Sequence, residues 1–276
     1  MKLYSANWAK GGVLQRSRKR THDVLLNDKN GILFFQFPNL AGFSEIRHGI
    51  FTRKCGYSKE PYKSLNVSFD VGDHPWIVEQ NRNILCRCIN GKEFVYAKQR
   101  HGTQIIILAK NNKVRSNVPF AGDAMITDIL SKYLVVQVAD CQSLLLYDPA
   151  RNVVANVHSG WRGSIKNITG KTIEKMEKRF GCKPKNIIAG IGPSLGPCCA
   201  EFVNYKKEIP SNLWKYKNND NLFDFWALSR DQLLDAGLLI KNIHSSDICT
   251  KCNTDLFFSF RGEGTTGRFA AVIGLK

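Results

Sequence analysis

SLLLYDPARNVVANVH, residues 143–158, decides how the rest of the chain folds. SLLLYD (143–148) and NVVANVH (152–158) are apolar runs of strand length. Asp148 and Pro149 form the turn between them, so the stretch reads as a hairpin of two buried strands. TQIIILA (103–109) and YLVVQVA (133–139) have the same texture upstream, and ILFFQF (32–37) is a short run bounded by Gly and Pro. Downstream, NIIAGIG (186–192), FFSF (257–260) and FAAVIGL (269–275) read as further strands. Three segments instead read as helices, two of them with apolar residues at helical spacing. In 74–89 the stripe is Ile77, Ile84, Leu85 and Cys88, with Asp73 and Pro75 at the start; in 164–181 it is Ile165, Ile168, Met176 and Phe180, with Gly181 as the stop. The third, 225–237, has Asp224 as N-cap and Gly237 as its stop. Strands mixed with helices, and no Pro/Ser-rich linker or internal repeat, predict an α+β fold: a single compact domain of mixed β-sheets flanked by helices.

Composition narrows the class. The chain has 276 residues, 43% of them hydrophobic, enough for a sizeable core. No stretch approaches the roughly 18 apolar residues of a membrane span, and the N-terminus lacks a signal-peptide h-region. A cytoplasmic location is expected. Nine irregularly placed cysteines fit reduced thiols better than a disulfide framework. The net charge is +17, yet Lys and Arg are scattered, and RSRKR (16–20) is the only dense run. A generally basic surface is favoured over a dedicated nucleic-acid site. Residues 1–30, polar and basic, are expected to form a loosely ordered arm before a catalytic domain over 31–276.

Three strand ends carry chemistry. KQRHGTQ (98–104), VADCQS (138–143) and NVHSGWRG (156–163) each place a His or Cys beside Gly, Asp or Ser. Strand ends gather at one edge of a sheet, so His101, Cys141 and His158 can converge. A His₂Cys set suits a catalytic zinc, which keeps three protein ligands and one open position. Cys141 and His158 equally suit a metal-free thiolate–imidazolium pair with Arg162 stabilising the anion. Singly, each residue also reads as a satisfied structural side chain. Cys198, Cys199, Cys249 and Cys252 offer a structural Cys₄ set. Against it, neighbours such as Cys198 and Cys199 point apart in most backbones, and core fillers or redox-labile thiols remain the alternative. GIGPSLGPC (190–198) and RGEGTTGR (261–268) are turns whose backbone N–H groups, with Arg261 or Arg268, suit an anion as well as plain turn geometry.

RHGIFTRKCGYS, PYKSLNVSFDVGD, QRHGTQ, GDAMITD, VADCQSLLLYDP, NVHSGWRGS, GIGPSLGPCC and FFSFR…TGR occur in that order from about residue 47 to the C-terminus. Together they resemble the laccase-domain (YfiH-like) family, also called multicopper polyphenol oxidase. The resemblance implies a YfiH-like, cysteine-hydrolase-like fold and a purine nucleoside enzyme. Adenosine, inosine, guanosine or methylthioadenosine would be phosphorolysed, adenosine would also be deaminated, and one zinc per chain would be held by His101, Cys141 and His158. Copper is an alternative metal, but six histidines are too few for a multicopper centre. Asp140 and His48 are the expected acid–base groups, and Arg53, Asn66, Arg162 and Arg261 the expected phosphate or ribose contacts. Gly262 stands where a second arginine often follows in the family, which bears on anion binding. The expected partners are purine nucleosides and inorganic phosphate, with no membrane. A metal-free cysteine amidase and a basic nucleic-acid-binding protein are the competing functions.

Overall fold

A computed structural model describes residues 24–109 and 121–276. Its strands are β1 (Leu25–Lys29), β2 (Ile32–Gln36), β3 (Ile46–Phe51), β4 (Glu93–Tyr96), β5 (Ile105–Leu108), β6 (Ala124–Thr127), β7 (Lys132–Val138), β8 (Gln142–Asp148), β9 (Val153–Ser159), β10 (Ile188–Ile191), β11 (Ile243–Ser245) and β12 (Phe269–Leu275). Its α-helices are α1 (Pro38–Ala41), α2 (Pro75–Ile89), α3 (Trp161–Ile165), α4 (Ile168–Phe180), α5 (Tyr205–Glu208), α6 (Phe225–Asp235) and α7 (Phe260–Glu263). The strands form two six-stranded mixed sheets, ordered β1-β2-β3-β12-β7-β4 and β11-β10-β8-β9-β6-β5.

The hairpin is at the centre of the second sheet. β8 and β9 pair antiparallel from Asp148↔Val153 to Gln142↔Ser159, and every residue in both is buried. They are covered on two faces, which is why they read as continuous apolar runs rather than alternating ones. Leu145, Tyr147 and Val154 face the first sheet, against Phe35, Ile50 and Val136. Leu144, Leu146 and Val157 pack on Ile168, Ile173 and Met176 of α4 and on Leu233 of α6. On the far side, α2 covers the first sheet with Ile84, Leu85 and Cys88 against Val135 and Val272. The result is a four-layer helix–sheet–sheet–helix stack, the α+β architecture that the sequence predicts. Asn156 ties the two sheets together, its Nδ2 donating to the carbonyls of Leu134 and Ala271.

Departures from the expected elements have local causes. The helix expected over 164–181 breaks in two, because Asn167 is left-handed (φ 55°) and its side chain caps α4 through the Gly170 N–H. FFSF is not a strand: Phe257 and Phe258 are buried loop residues, and Ser259 caps α7 by accepting from the Gly262 N–H. The expected arm over 1–30 overlaps β1, whose five residues pair with β2. Residues 1–23, including RSRKR, lie outside the described residues. Among the described residues no helix is long and apolar enough to cross a membrane.

Candidate active site

Strand register brings the expected site together. β9 lies between β8 and β6 and runs antiparallel to both, while β5 runs parallel to β6. The starts of β5, β6 and β8 therefore share one sheet edge with the end of β9. His101 lies just before β5, Asp123 immediately before β6, Cys141 immediately before β8, and His158 near the end of β9. Ligand atoms of His101, Cys141 and His158 lie within 4.8 Å of one another, and the two imidazole rings meet edge to face at 4.8 Å. Two backbone positions beside the cluster are left-handed without being glycine, His101 (φ 57°) and Asp140 (φ 83°). Such conformations are uncommon outside Gly and persist where surrounding contacts hold them.

Asp123 supplies those contacts on the His101 side. Its Oδ1 accepts from the backbone N–H groups of Arg100 (3.0 Å) and His101 (2.8 Å), and its Oδ2 from that of Gly102 (2.8 Å). The same Oδ1 lies 2.9 Å from His158 Nδ1, which leaves His158 Nε2 for a further partner. Burial opposes ionisation of Asp123, but His158 and the Gly102 and His101 N–H groups together hold its carboxyl below the usual range. Burial likewise pushes the Cys141 thiol up, yet His158 and His101 bring it down to about 6. For His158, burial lowers the pKa, while Cys141 and Asp123 raise it to about 9. Asp123 falls within GDAMITD and had no expected role. Its one sequence signal is a charge placed directly before a wholly buried strand.

Gly160 explains part of the HSGWRG motif. A Cβ there would sit 2.8 Å from His101 Cδ2 and 3.2 Å from Cys141 Sγ, so only glycine lets these side chains close on the strand end. The chain then turns into α3, which carries Arg162 in its first turn with the guanidinium over the Trp161 ring at 4.5 Å.

The cluster opens into a cavity of about 530 Å³. Besides the three ligand-type residues its wall includes Gln99, Gln137, Asp70 and the aromatic rings of Trp161, Phe202, Phe225 and Phe260. Among the described residues three arginines reach it: Arg162, Arg261 and Arg268. Arg261 Nη1 donates to the Glu201 carbonyl, and Arg268 Nη1 to those of Thr266 and Gly267, which directs both guanidinium groups.

Other expected site residues serve the fold. His48 lies on β3 with Ile46 and Ile50 on the face between the sheets, 1% exposed, its Nε2 accepting from the Phe37 N–H. Burial pushes its pKa down to about 3, so it stays neutral, and it is not part of the cavity wall. Arg53 is spent on the Lys63 and Thr254 carbonyls and on Glu263 Oε1 at 2.6 Å, above the Phe258 ring. Asn66 is fully buried, donating to Ser68 and Asp73 and accepting from the Ser68 and Arg268 N–H groups. Asp140 does border the cavity, but its carboxylate accepts from Thr250 Oγ1, Ser259 Oγ and the Arg261 N–H. It is therefore a positioning group, and the Arg261 N–H faces a carboxylate instead of a ligand anion.

The donor set fits a metal ion. A thiolate and two imidazoles within 4.8 Å, one imidazole oriented by a buried carboxylate, is a zinc-type arrangement with room for a fourth ligand.

Comparison with known proteins agrees with this architecture. A protein of Geobacillus stearothermophilus named purine nucleoside phosphorylase YlmD is 31% identical, over 92% of this chain and 98% of its own. The Escherichia coli protein named purine nucleoside phosphorylase YfiH is 32% identical over 81% and 91%. The crystal structure of a Bacillus licheniformis hypothetical protein YfiH superimposes with a TM-score of 0.79 at 27% identity, covering 93% of this chain and 97% of that one. The structure of YlmD from Geobacillus stearothermophilus gives 0.77 at 29% identity, covering 95% and 98%. Residues 47–276 match the profile of the family described as multi-copper polyphenol oxidoreductase laccase, and the chain belongs to that laccase-domain, YfiH-like family.

Proposed function

We propose that the protein is a zinc-dependent purine nucleoside phosphorylase of the cytoplasm that also deaminates adenosine. The observation that carries this reading is the His101–Cys141–His158 cluster opening into a cavity that is both aromatic-walled and rimmed by three arginines. A volume of about 530 Å³ is within the range of small-molecule sites. The names of the relatives support nucleoside and phosphate as its contents. Copper is the alternative metal, but a multicopper centre needs more imidazoles than six histidines supply, and His48 is committed to the fold.

His101, Cys141 and His158 would hold one zinc, which when bound supplies Lewis acidity. The protein's own groups do the rest. Trp161, Phe202 and Phe225 offer faces and edges on which a purine packs. Arg162, Arg261 and Arg268 hold inorganic phosphate against the anomeric carbon, where positive charge develops as the base departs. Asp123 keeps the His158 proton on Nδ1 and the ring in place. With Asp140 committed to three donors, the exposed Asp70 on the cavity wall becomes the candidate proton carrier for deamination. Adenosine deamination at the native rate in Asp70→Asn would exclude it.

Incubation with adenosine, inosine, guanosine and methylthioadenosine, with and without phosphate, tests the proposal. Chromatography should show free base only when phosphate is present, and inosine from adenosine in either case. No turnover of any nucleoside by zinc-loaded protein would sink it.

A second reading rests on Asp123, because Cys141, His158 and Asp123 also line up as a Cys–His–Asp relay. A metal-free amidase would remain active after chelation and be alkylated at Cys141 with loss of activity. The zinc enzyme would be inactivated by the chelator. The nucleic-acid-binding alternative would show salt-dependent oligonucleotide binding without nucleoside turnover.

A further inference from the structure

The second cysteine group is not part of the cavity wall. Cys198 and Cys199 follow the GIGPSLGP strand end, and Cys249 and Cys252 form a C-x₂-C pair more than 45 residues later. The fold brings them together. Sγ of Cys252 lies 3.6 Å from Sγ of both Cys198 and Cys199, and all four sulfurs lie within 4.8 Å of one another. Four ligands at about 2.3 Å from a zinc ion occupy tetrahedron corners about 3.8 Å apart, so the sulfurs are spaced as a Cys₄ site requires.

The objection raised by two adjacent cysteines is removed by the backbone. Residues 196–200 form a tight turn, with the Cys199 and Ala200 N–H groups donating to the Gly196 carbonyl. In such a turn successive side chains diverge by about 100° instead of the 180° of a strand, and both thiols reach the same point. The Gly196 N–H donates to Cys249 Sγ at 3.3 Å, the kind of hydrogen bond that stabilises a thiolate. A Cβ at Gly196 would come within 2.7 Å of Trp226 and 3.0 Å of Cys249 Cβ, so the close approach of the two segments depends on glycine.

We propose that Cys198, Cys199, Cys249 and Cys252 hold a second, structural zinc ion, independent of the active-site metal. Four thiolates close the coordination sphere and leave no position for substrate, which marks the site as structural. It would cross-link two loops that both hold Asp140: the Leu195 N–H donates to the Asp140 carbonyl, and Thr250 Oγ1 to its carboxylate. Asp140 precedes Cys141, so an ion outside the cavity would steady the backbone of an active-site ligand. The Ser194 N–H to Ile248 O and Thr250 N–H to Ser194 O bonds already zip these loops, and the ion would lock them.

The test uses full-length protein carrying His101→Ala and Cys141→Ser, purified with reductant in zinc-supplemented medium. About one zinc per chain should remain, and cobalt exchange should produce intense thiolate-to-metal absorption. Adding Cys252→Ser, at an exposed position, should remove both and lower the unfolding temperature. Zinc-free double variant with no cobalt absorption would overturn the site, as would a disulfide among these cysteines in place of metal. Alkylation of the unmutated protein guards against a folding defect in the variants. The exposed Cys198 and Cys252 should resist iodoacetamide until a chelator is added, and equal rates with and without chelator would overturn the proposal.

Discussion

Asp123 Oδ1 stands 2.9 Å from His158 Nδ1 in a fully buried pair, and the same carboxylate accepts the backbone N–H groups of Arg100, His101 and Gly102. One side chain thus orients one imidazole and shapes the loop carrying the other. Asp123→Asn keeps the volume but removes the charge, and metal affinity should fall about 10- to 100-fold. Competition with a chromophoric chelator measures it, alongside circular dichroism to confirm folding. Unchanged affinity would remove Asp123 from the site.

Gly160→Ala tests the crowding at the strand end. Its Cβ would meet His101 at 2.8 Å and Cys141 at 3.2 Å, displacing both by a fraction of an ångström. A shift of that kind should lower kcat/KM for adenosine by about 100-fold while leaving the sheets intact. Native activity in the alanine variant would show that the cluster tolerates the displacement.

Two arginines separate cavity from scaffold. Arg162 is exposed beside the cluster, and Arg162→Gln should raise the phosphate KM about 10-fold with little change in unfolding temperature. Arg53 is buried and bonds the Lys63 and Thr254 carbonyls as well as Glu263 Oε1 at 2.6 Å, so Arg53→Gln breaks these bonds at a cost of about 1–3 kcal/mol. The phosphate KM should stay unchanged and the unfolding temperature should drop by several degrees. The reverse pattern would restore Arg53 as a substrate contact.

His48 gives a pH signature. Its pKa falls from 6.5 in the unfolded chain to about 3 in the fold, so between these values the unfolded state binds the extra proton. Stability must then decline as pH drops from about 6.5 toward 3, by up to about 1.4 kcal/mol per pH unit. His48→Gln preserves an acceptor for the Phe37 N–H but cannot titrate. Urea unfolding at pH 6.5 and 5.0, above the range where most carboxylates titrate, should show a shallower decline in the variant. Parallel declines would mean that native His48 takes up its proton over the same pH range as in the unfolded chain.

Much of this protein is legible in its linear pattern. Strands buried on both faces must be apolar throughout, so β7, β8, β9 and β12 are visible as runs, α2 and α4 as stripes, and α6 through its Asp224 cap and Gly237 stop. The His101, Cys141 and His158 set is legible because each belongs to a strand end marked by Gly or Asp. Short strands such as β4 and β11, with four and three residues, have too few positions to show a period.

Roles that depend on partners are not legible. Arg53 and Arg162 are alike in sequence, and only the Lys63, Thr254 and Glu263 oxygens around the first make it scaffold. Asp123 precedes β6 and Asp140 precedes Cys141, yet one orients an imidazole while the other is held by Thr250, Ser259 and Arg261. The sequence by itself determined the α+β class, the hairpin and the types of donor atom available for a metal, because burial and coordination chemistry select residue types. Only the tertiary structure decided which donors meet and which charges remain open to a ligand. The register of β9 between β6 and β8 sets those distances, and the distances decide which groups can bond.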